Sequence, residues 1–308
     1  MKRTTEDRRR GVCYFNHGAK CAARLVWSLW SLRKHYGGPV AVLDTGESGG
    51  IAEHIAADER LDVELIRIPF KVRRRNSCYV AKAGLWRHSP YQTTILLDSD
   101  TLVARDPSIL LDLAESPVSG GVVLTRFSNW VTTGPIICGR LERWRGVVCG
   151  ADAHKGLRSI VADELVDESL RCDWPAINTG VTCWDTDSRA FLRDWERLTE
   201  AGAGCPFTDE LAAQLLARLH RHELMGDSHN ASPLYHATTP DLVAIWHAHG
   251  AKHMLRPDGR GERGHAIWWQ TVVECWRADA GRIRLWGPAG DEAYAHNLPA
   301  LSGVASPA

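Results

Sequence analysis

Two aspartates two residues apart, Asp98 and Asp100, close an apolar run of strand length, Thr94–Leu97, within the stretch Tyr91–Ser108 (YQTTILLDSDTLVARDPS). A continuous apolar run is what a strand buried on both faces looks like. In extended geometry residues two apart point the same way, which brings the two carboxylates together. Like charges that close are costly unless a cation lies between them, and an oxygen-seeking divalent metal is the natural solution. A solvated turn, where aspartate is common, is the plainer alternative. Late in the chain a short strand, Leu242–Trp246, runs into His247-Ala248-His249-Gly250-Ala251-Lys252-His253. Imidazole can complete a metal site and lysine can neutralise phosphate, although a solvated, His-rich strand end is also possible. Between these clusters, Asn178-Thr179-Gly180 interrupts the apolar strand Ala176–Trp184. A glycine inside a strand often marks close approach by a ligand or another chain. Asp209 and Glu210 open a helix after Thr208, where capping and the helix dipole are enough to explain them.

The elements that must carry these groups read as an α/β domain. Gly11–Phe15, Val40–Leu43 and Val63–Ile68 are predicted strands, separated by helices over Ala19–Tyr36 and Ile51–Asp58. In a sheet built this way ligands bind beyond the carboxyl ends of the strands. Asn16, His17, Asp44 and the Asp98/Asp100 pair all fall at such ends and are candidate ligand-binding residues. So is Lys82, on a short predicted helix over Val80–His88 that leads to the aspartates. The basic run Lys71–Arg75 lies in the same connection, where a solvated loop and a phosphate contact are both open. Helices are further predicted over Ile109–Ala114, from Ser188 to about Thr199, and from Thr208, with a strand over Gly121–Thr125. Thr132–Asp167 reads as irregular, with Gly146–Gly156 an exposed excursion. Trp268, Trp269, Val272, Val273 and Trp276 recur at helical spacing and predict a C-terminal helix packed on the domain.

Composition narrows the function classes. With 37 basic and 37 acidic side chains in 308 residues, the chain has no bulk charge with which to hold nucleic acid or a membrane surface. No apolar stretch reaches membrane-spanning length, and MKRTTEDRRR carries no apolar segment after its charges. Nine cysteines, scattered singly, suit reduced thiols and a cytoplasmic location.

The ordered pieces resemble the glycosyltransferases of family 8, the group containing glycogenin and bacterial galactosyl- and glucosyltransferases. ILLDSDTLV is similar to that family's strand-borne Asp-x-Asp, and AINTGV to its Phe-Asn-Ala/Thr-Gly-Val segment. TDELAAQLL resembles its Asp-Gln-Asp helix start, with Glu210 where Gln is usual. LMGDSHN resembles its Leu-x-x-x-Trp-Asn element without the Trp. IWHAHGAKH resembles its His-x-x-Gly-x-x-Lys-Pro-Trp motif, with Lys252 one residue nearer the glycine and His253-Met254 in place of Pro-Trp. The likeness spans Gly11 to His253.

That resemblance implies a GT-A fold, a central mostly parallel sheet flanked by helices. It implies a catalytic domain over 1–255, with a nucleotide-sugar half about 11–107 and an acceptor half about 108–255; residues 256–308, which the likeness does not cover, read as a C-terminal helical extension or tail packing on the domain. The implied donor is a nucleotide-diphosphate sugar, most commonly UDP-linked. The implied acceptor is a glycan, small molecule or peptide, glycosylated with retention. Asp98, Asp100 and His247 would hold Mn²⁺, or Mg²⁺, with His249 an equivalent candidate in an extended strand. Lys252 would meet the diphosphate, and Asn178 and Asp209 would face the sugar. Two other readings remain open. A haloacid dehalogenase-type phosphatase also uses an apolar strand followed by Asp-x-Asp, and Gly226-Asp227-Ser228 imitates its late acidic motif. Against it, Leu102 stands where that motif has Thr, and Asp227 is expected to follow a helix. A non-catalytic sugar-nucleotide or glycan-binding protein of the same fold is the third reading, with tail tryptophans as stacking surfaces.

Overall fold

The computed structural model describes residues 9–48, 50–70, 77–117, 121–127, 130–151, 153–171, 174–232 and 242–247. The first half alternates strand and helix: β1 (Arg10–Asn16), α1 (Ala19–Arg33), β2 (Val40–Asp44), α2 (Ile51–Ala57), β3 (Val63–Arg67), α3 (Ser77–Ala83) and β4 (Thr93–Leu97). There follow β5 (Thr101–Val103), α4 (Ile109–Ala114), β6 (Val122–Arg126), α5 (Trp130–Cys149), α6 (Lys155–Arg158) and α7 (Asp163–Ser169). The order ends with β7 (Ile177–Trp184), α8 (Arg189–Ala201), α9 (Thr208–Leu216), β8 (His222–Met225) and β9 (Ile245–His247).

Seven strands form one sheet in the order β3-β2-β1-β4-β7-β6-β8, and β5 pairs with β9 in a separate two-stranded ribbon. The pairs β1–β2, β2–β3, β1–β4 and β6–β8 are parallel, whereas β7 runs antiparallel to both β4 and β6. Strand alternation divides the core between the two faces. Val12, Tyr14, Ile95 and Leu97 join Leu25, Leu29, Ile51, Ile55, Leu110 and Leu111 in one cluster, which places α1, α2 and α4 on that face. Cys13, Phe15 and Leu96 join Leu141, Trp144, Phe191, Trp195, Leu211 and Leu215 in the other, beneath α5, α8 and α9. β4 is buried along its whole length, as its unbroken apolar run predicts. After β3 the chain returns to lay β4 on the other side of β1, so the strand order reverses between β1 and β4. A crevice opens at such a reversal, beyond the strands' carboxyl ends.

Three expectations are corrected. Thr132–Asp167 is mostly helical, with the 20-residue α5 running through Gly134, Pro135 and Gly139. Its buried residues Leu141, Trp144 and Val148 recur at helical spacing against the sheet, so packing outweighs poor propensity. Asp98–Asp100 is a turn rather than an extended strand end. A strand, β8, precedes Asp227, but it lies at the sheet's edge with β6 and β7 between it and β4. The two acidic motifs of a dehalogenase-type site are therefore not brought together. The predicted C-terminal helix lies outside the described residues. No helix among the described residues is long and apolar enough to cross a membrane.

Candidate active site

The turn after β4 makes the first half of the site. The Asp98 N–H donates to the Gly180 carbonyl (2.8 Å), and the Asp98 carbonyl accepts from the Thr101 N–H (3.2 Å) and Oγ1 (2.9 Å). That tight turn feeds β5, whose register against β9 sets Thr101 opposite His247. The imidazole consequently meets the aspartates, with Nε2 3.1 Å from Asp100 Oδ1 and 3.8 Å from Asp98 Oδ2. One ligand atom from each of the three residues lies within 4.8 Å of the others.

His247 is held from behind. Asn230, fully buried, directs its Nδ2 at Thr125 Oγ1 (3.0 Å) and Asn178 Oδ1 (3.0 Å), which leaves its Oδ1 against His247 Nδ1 (2.9 Å). An acceptor there requires the proton on Nδ1 and turns Nε2 toward Asp100. A register shift between β6 and β7, between Val123 and Thr125, sets Asn178–Thr182 out of even pairing. Within it the backbone of Gly180 runs against the His247 ring. A Cβ on Gly180 would overlap Cε1, Nδ1 and Nε2 of that ring. Gly180→Ala is therefore expected to swing His247 out of the cluster, costing about 1–3 kcal/mol of stability through overpacking. Metal titration should weaken in parallel; an unchanged affinity would show that the ring is not fixed by this contact.

The pocket wall opposite is built from α3, α5 and α9. Lys82, buried in the last turn of α3, donates to Asp98 (Nζ–Oδ1 2.7 Å) and Thr179 Oγ1 (3.3 Å) and lies 3.5 Å from Asp209 Oδ2. Burial pulls its ammonium pKa down, but Asp98 and Asp209 more than offset this and the net shift is upward. Burial raises the Asp98 pKa against the opposing pull of Lys82 and His247. At Asp100 burial also acts upward, but His247 prevails and the net shift is downward. His247 is lowered by burial, yet the two aspartates carry it above its ordinary value.

Asp209 and Glu210 do not simply cap α9. Asp209 Oδ2 accepts from Thr179 Oγ1 (2.6 Å), while its buried Oδ1 has no hydrogen-bond partner among the described residues. Glu210 accepts from Asn178 Nδ2 (2.6 Å) and pairs with Arg140 of α5. Burial pushes its carboxyl up to about 7, with Arg140 opposing. In the unfolded chain this group titrates near 4.5, so the folded state binds more protons between those values. The stability this proton contributes is complete below about pH 4.5 and lost as pH rises through about 7. Wild type should therefore lose stability relative to Glu210→Gln across that window. Urea unfolding at either end of it checks this; a pH-independent difference would contradict it.

One cavity of about 720 Å³ is lined by Asp98, Asp100, His247, Asn178, Asp209, Glu210 and Lys82. The rest of its wall carries the aromatic side chains of Tyr79, Phe127, Trp144 and Phe207 together with the guanidinium groups of Arg140 and Arg143. The residues at the first strand ends form a group of their own, outside the lining of that cavity. Asp44 is buried, accepting from Asn16 Nδ2 and the Gly46 N–H and pairing with Arg67, while Asn16 Oδ1 is buried with no hydrogen-bond partner among the described residues. His17 stacks on Phe15 (6.2 Å) and meets Phe70 edge-on (4.7 Å). His249 and Lys252 lie outside the described residues. Asn230 and Arg140 were not singled out as site residues by the sequence; Asn230 was visible only as the last residue of LMGDSHN.

No protein-family profile matches the sequence. No curated protein is significantly similar to it. Solved structures are similar in fold. The galactosyltransferase LgtC, solved with donor and acceptor sugar analogs, is 17% identical, with a TM-score of 0.53 over 87% of this chain and 99% of that one. The bifunctional glycosyltransferase WbbM is 11% identical, with a TM-score of 0.60 over 96% of this chain but only 53% of its own. The glycosyltransferase GlyE of Streptococcus pneumoniae TIGR4 is 14% identical, with a TM-score of 0.55 over 93% of this chain and 63% of its own. The fold is of the GT-A type these glycosyltransferases share.

Proposed function

We propose that the chain is a metal-dependent glycosyltransferase that moves a hexose from a nucleotide-diphosphate sugar, UDP-linked by preference, to a hydroxyl acceptor with retention. The observation that carries this reading is the convergence of Asp98, Asp100 and His247 at the sheet's switch point. Two carboxylates and one imidazole are a donor set suited to Mn²⁺, with Mg²⁺ as the harder alternative. Such an ion, when bound, supplies positive charge where a diphosphate leaving group gains negative charge.

The chain's own residues account for the rest of the reaction. The bond between the anomeric carbon and the diphosphate oxygen breaks, a bond to the acceptor oxygen forms, and the acceptor's proton is released to solvent. Asn178 and Asp209, whose Oδ1 has no hydrogen-bond partner among the described residues, face the sugar from the cavity wall. Asn16, His17 and Asp44 are assigned to the nucleoside, with His17 between two aromatic rings and Asn16 Oδ1 without a hydrogen-bond partner among the described residues. Lys82 keeps Asp98 and Asp209 compatible with one another by standing between them. Lys252 is assigned to the diphosphate. On this reading residues 11–107 supply most of the nucleotide side of the donor site, and 108–255 add His247, Asn178 and Asp209 to it besides forming most of the acceptor side. A thermal-shift screen of nucleotide sugars with Mn²⁺ tests it, because a ligand selective for the native state raises the melting temperature. Selective stabilisation by one donor, lost with a chelator, is expected; no shift with any donor would refute the reading.

A further inference from the structure

Phe207 immediately precedes α9 with φ 56° and ψ 36°, the left-handed region. A bulky L-residue there is strained by its Cβ, and glycine or asparagine is the ordinary occupant. The ring gains little from burial in return. It is 42% exposed, and it is the one aromatic among the exposed large apolar side chains of the described residues. It is nevertheless held in place. The Arg140 guanidinium lies 5.1 Å from its centroid while also stacking on Phe127 (4.7 Å) and Trp144 (5.1 Å). Tyr79 meets it at 5.9 Å, and Arg140 is itself tied to Glu210. A backbone cost and a partly solvated ring are thus maintained on the wall of the cavity that contains the aspartates and His247. Strain of this kind persists where surrounding structure imposes it, and it concentrates at binding sites.

We propose that Phe207, backed by Arg140 and flanked by Tyr79, is the platform on which the acceptor stacks. The acceptor is accordingly a pyranoside, whose C–H face matches an aromatic ring, rather than a peptide hydroxyl or an acyclic polyol. This rests on the glycosyltransferase reading, in which the donor occupies the end of the cavity at Asp98, Asp100 and His247 and leaves the aromatic wall to the second substrate. It also assigns specificity to a residue directly joined to α9, so acceptor position and the Asp209–Glu210 pair are fixed by the same turn.

The test uses UDP-glucose and UDP-galactose with Mn²⁺ as donors. Methyl and p-nitrophenyl hexopyranosides, N-acetylserinamide and glycerol serve as acceptor probes. Wild type is expected to transfer to a pyranoside. Phe207→Ala and Phe207→Gly should raise its KM roughly three- to tenfold, the worth of one aromatic stacking contact. Donor affinity by calorimetry should stay within about twofold, and Phe207→Trp should recover most of the acceptor KM. Phe207→Gly should melt above Phe207→Ala, since glycine relieves the strain, yet match it in KM, which separates the ring's role from the backbone's. Unchanged pyranoside KM in the variants would overturn the proposal. So would transfer only to glycerol or N-acetylserinamide, or donor hydrolysis with no pyranoside accepted. A wild type that neither binds nor hydrolyses a donor would overturn the glycosyltransferase reading itself.

Discussion

Asp100→Ala is expected to abolish metal-dependent nucleotide-sugar binding while leaving the fold in place. Its carboxylate is one of three groups around the proposed cation, and it alone lies within 3.1 Å of His247 Nε2. Removing a direct ligand should cost more than removing a supporting residue, which commonly lowers metal affinity 10–100-fold, so a loss of at least about 100-fold is expected. The fold should survive because Asp100 is only half-buried, in a turn outside the apolar interior of β4. His247 can also give up its charge when its partner is lost, which limits the penalty. Calorimetry with Mn²⁺ and a UDP-sugar, alongside circular dichroism, measures both halves. Unchanged affinity in a folded variant would remove Asp100 from the metal site.

Lys82→Ala should be the most destabilising single change among these residues, by about 3–5 kcal/mol in the absence of metal. Lys82 is 6% exposed and stands between Asp98 and Asp209, so its loss leaves two carboxylates facing each other without their shared cation. Saturating Mn²⁺ should recover part of the loss, since a bound cation neutralises Asp98 from the other side and selectively stabilises the native state. Urea unfolding in a chelator and in Mn²⁺ would reveal this as a larger metal-induced stabilisation in the variant than in wild type. Equal stabilisation of the two proteins would mean that Lys82 and the metal do not share Asp98. It would then place the lysine's contribution in the pairing with Asp209 and Thr179.

The strands and helices of the first half were legible because each carries one clear period: β4 as an unbroken apolar run, and α1 with Leu25, Leu29 and Leu32 on one face. α5 was not, because Gly134, Pro135 and Gly139 argue locally against a helix that only contact with the sheet sustains. β8 was missed because His222-Glu223-Leu224-Met225 contains good helix formers and becomes a strand by pairing with β6 at the edge. At the site, the chemical types at Asp98, Asp100, His247 and Asn178 could be read from local spacing. Their convergence could not, since it depends on the long-range register that sets Thr101 opposite His247. Asn230 has only its place at the end of LMGDSHN as a local signature, and Arg140 has none. One matters through two amide atoms that join Asn178 to His247, the other through an aromatic cage assembled from β6, α5 and the turn before α9. Gly180 was suggestive as a strand interruption, and the structure supplies the object that approaches it, the imidazole of His247.

On the proposed function, Asp98, Asp100 and His247 hold the metal ion of a glycosyltransferase. The most direct test of this assignment is turnover of a panel of nucleotide sugars, with water or a glycoside as acceptor, in Mn²⁺ and in a chelator. Release of nucleoside diphosphate from a selected donor is expected in Mn²⁺ and should be lost in the chelator. Absence of turnover and of donor binding from every nucleotide sugar, with metal present and the protein folded, would contradict it.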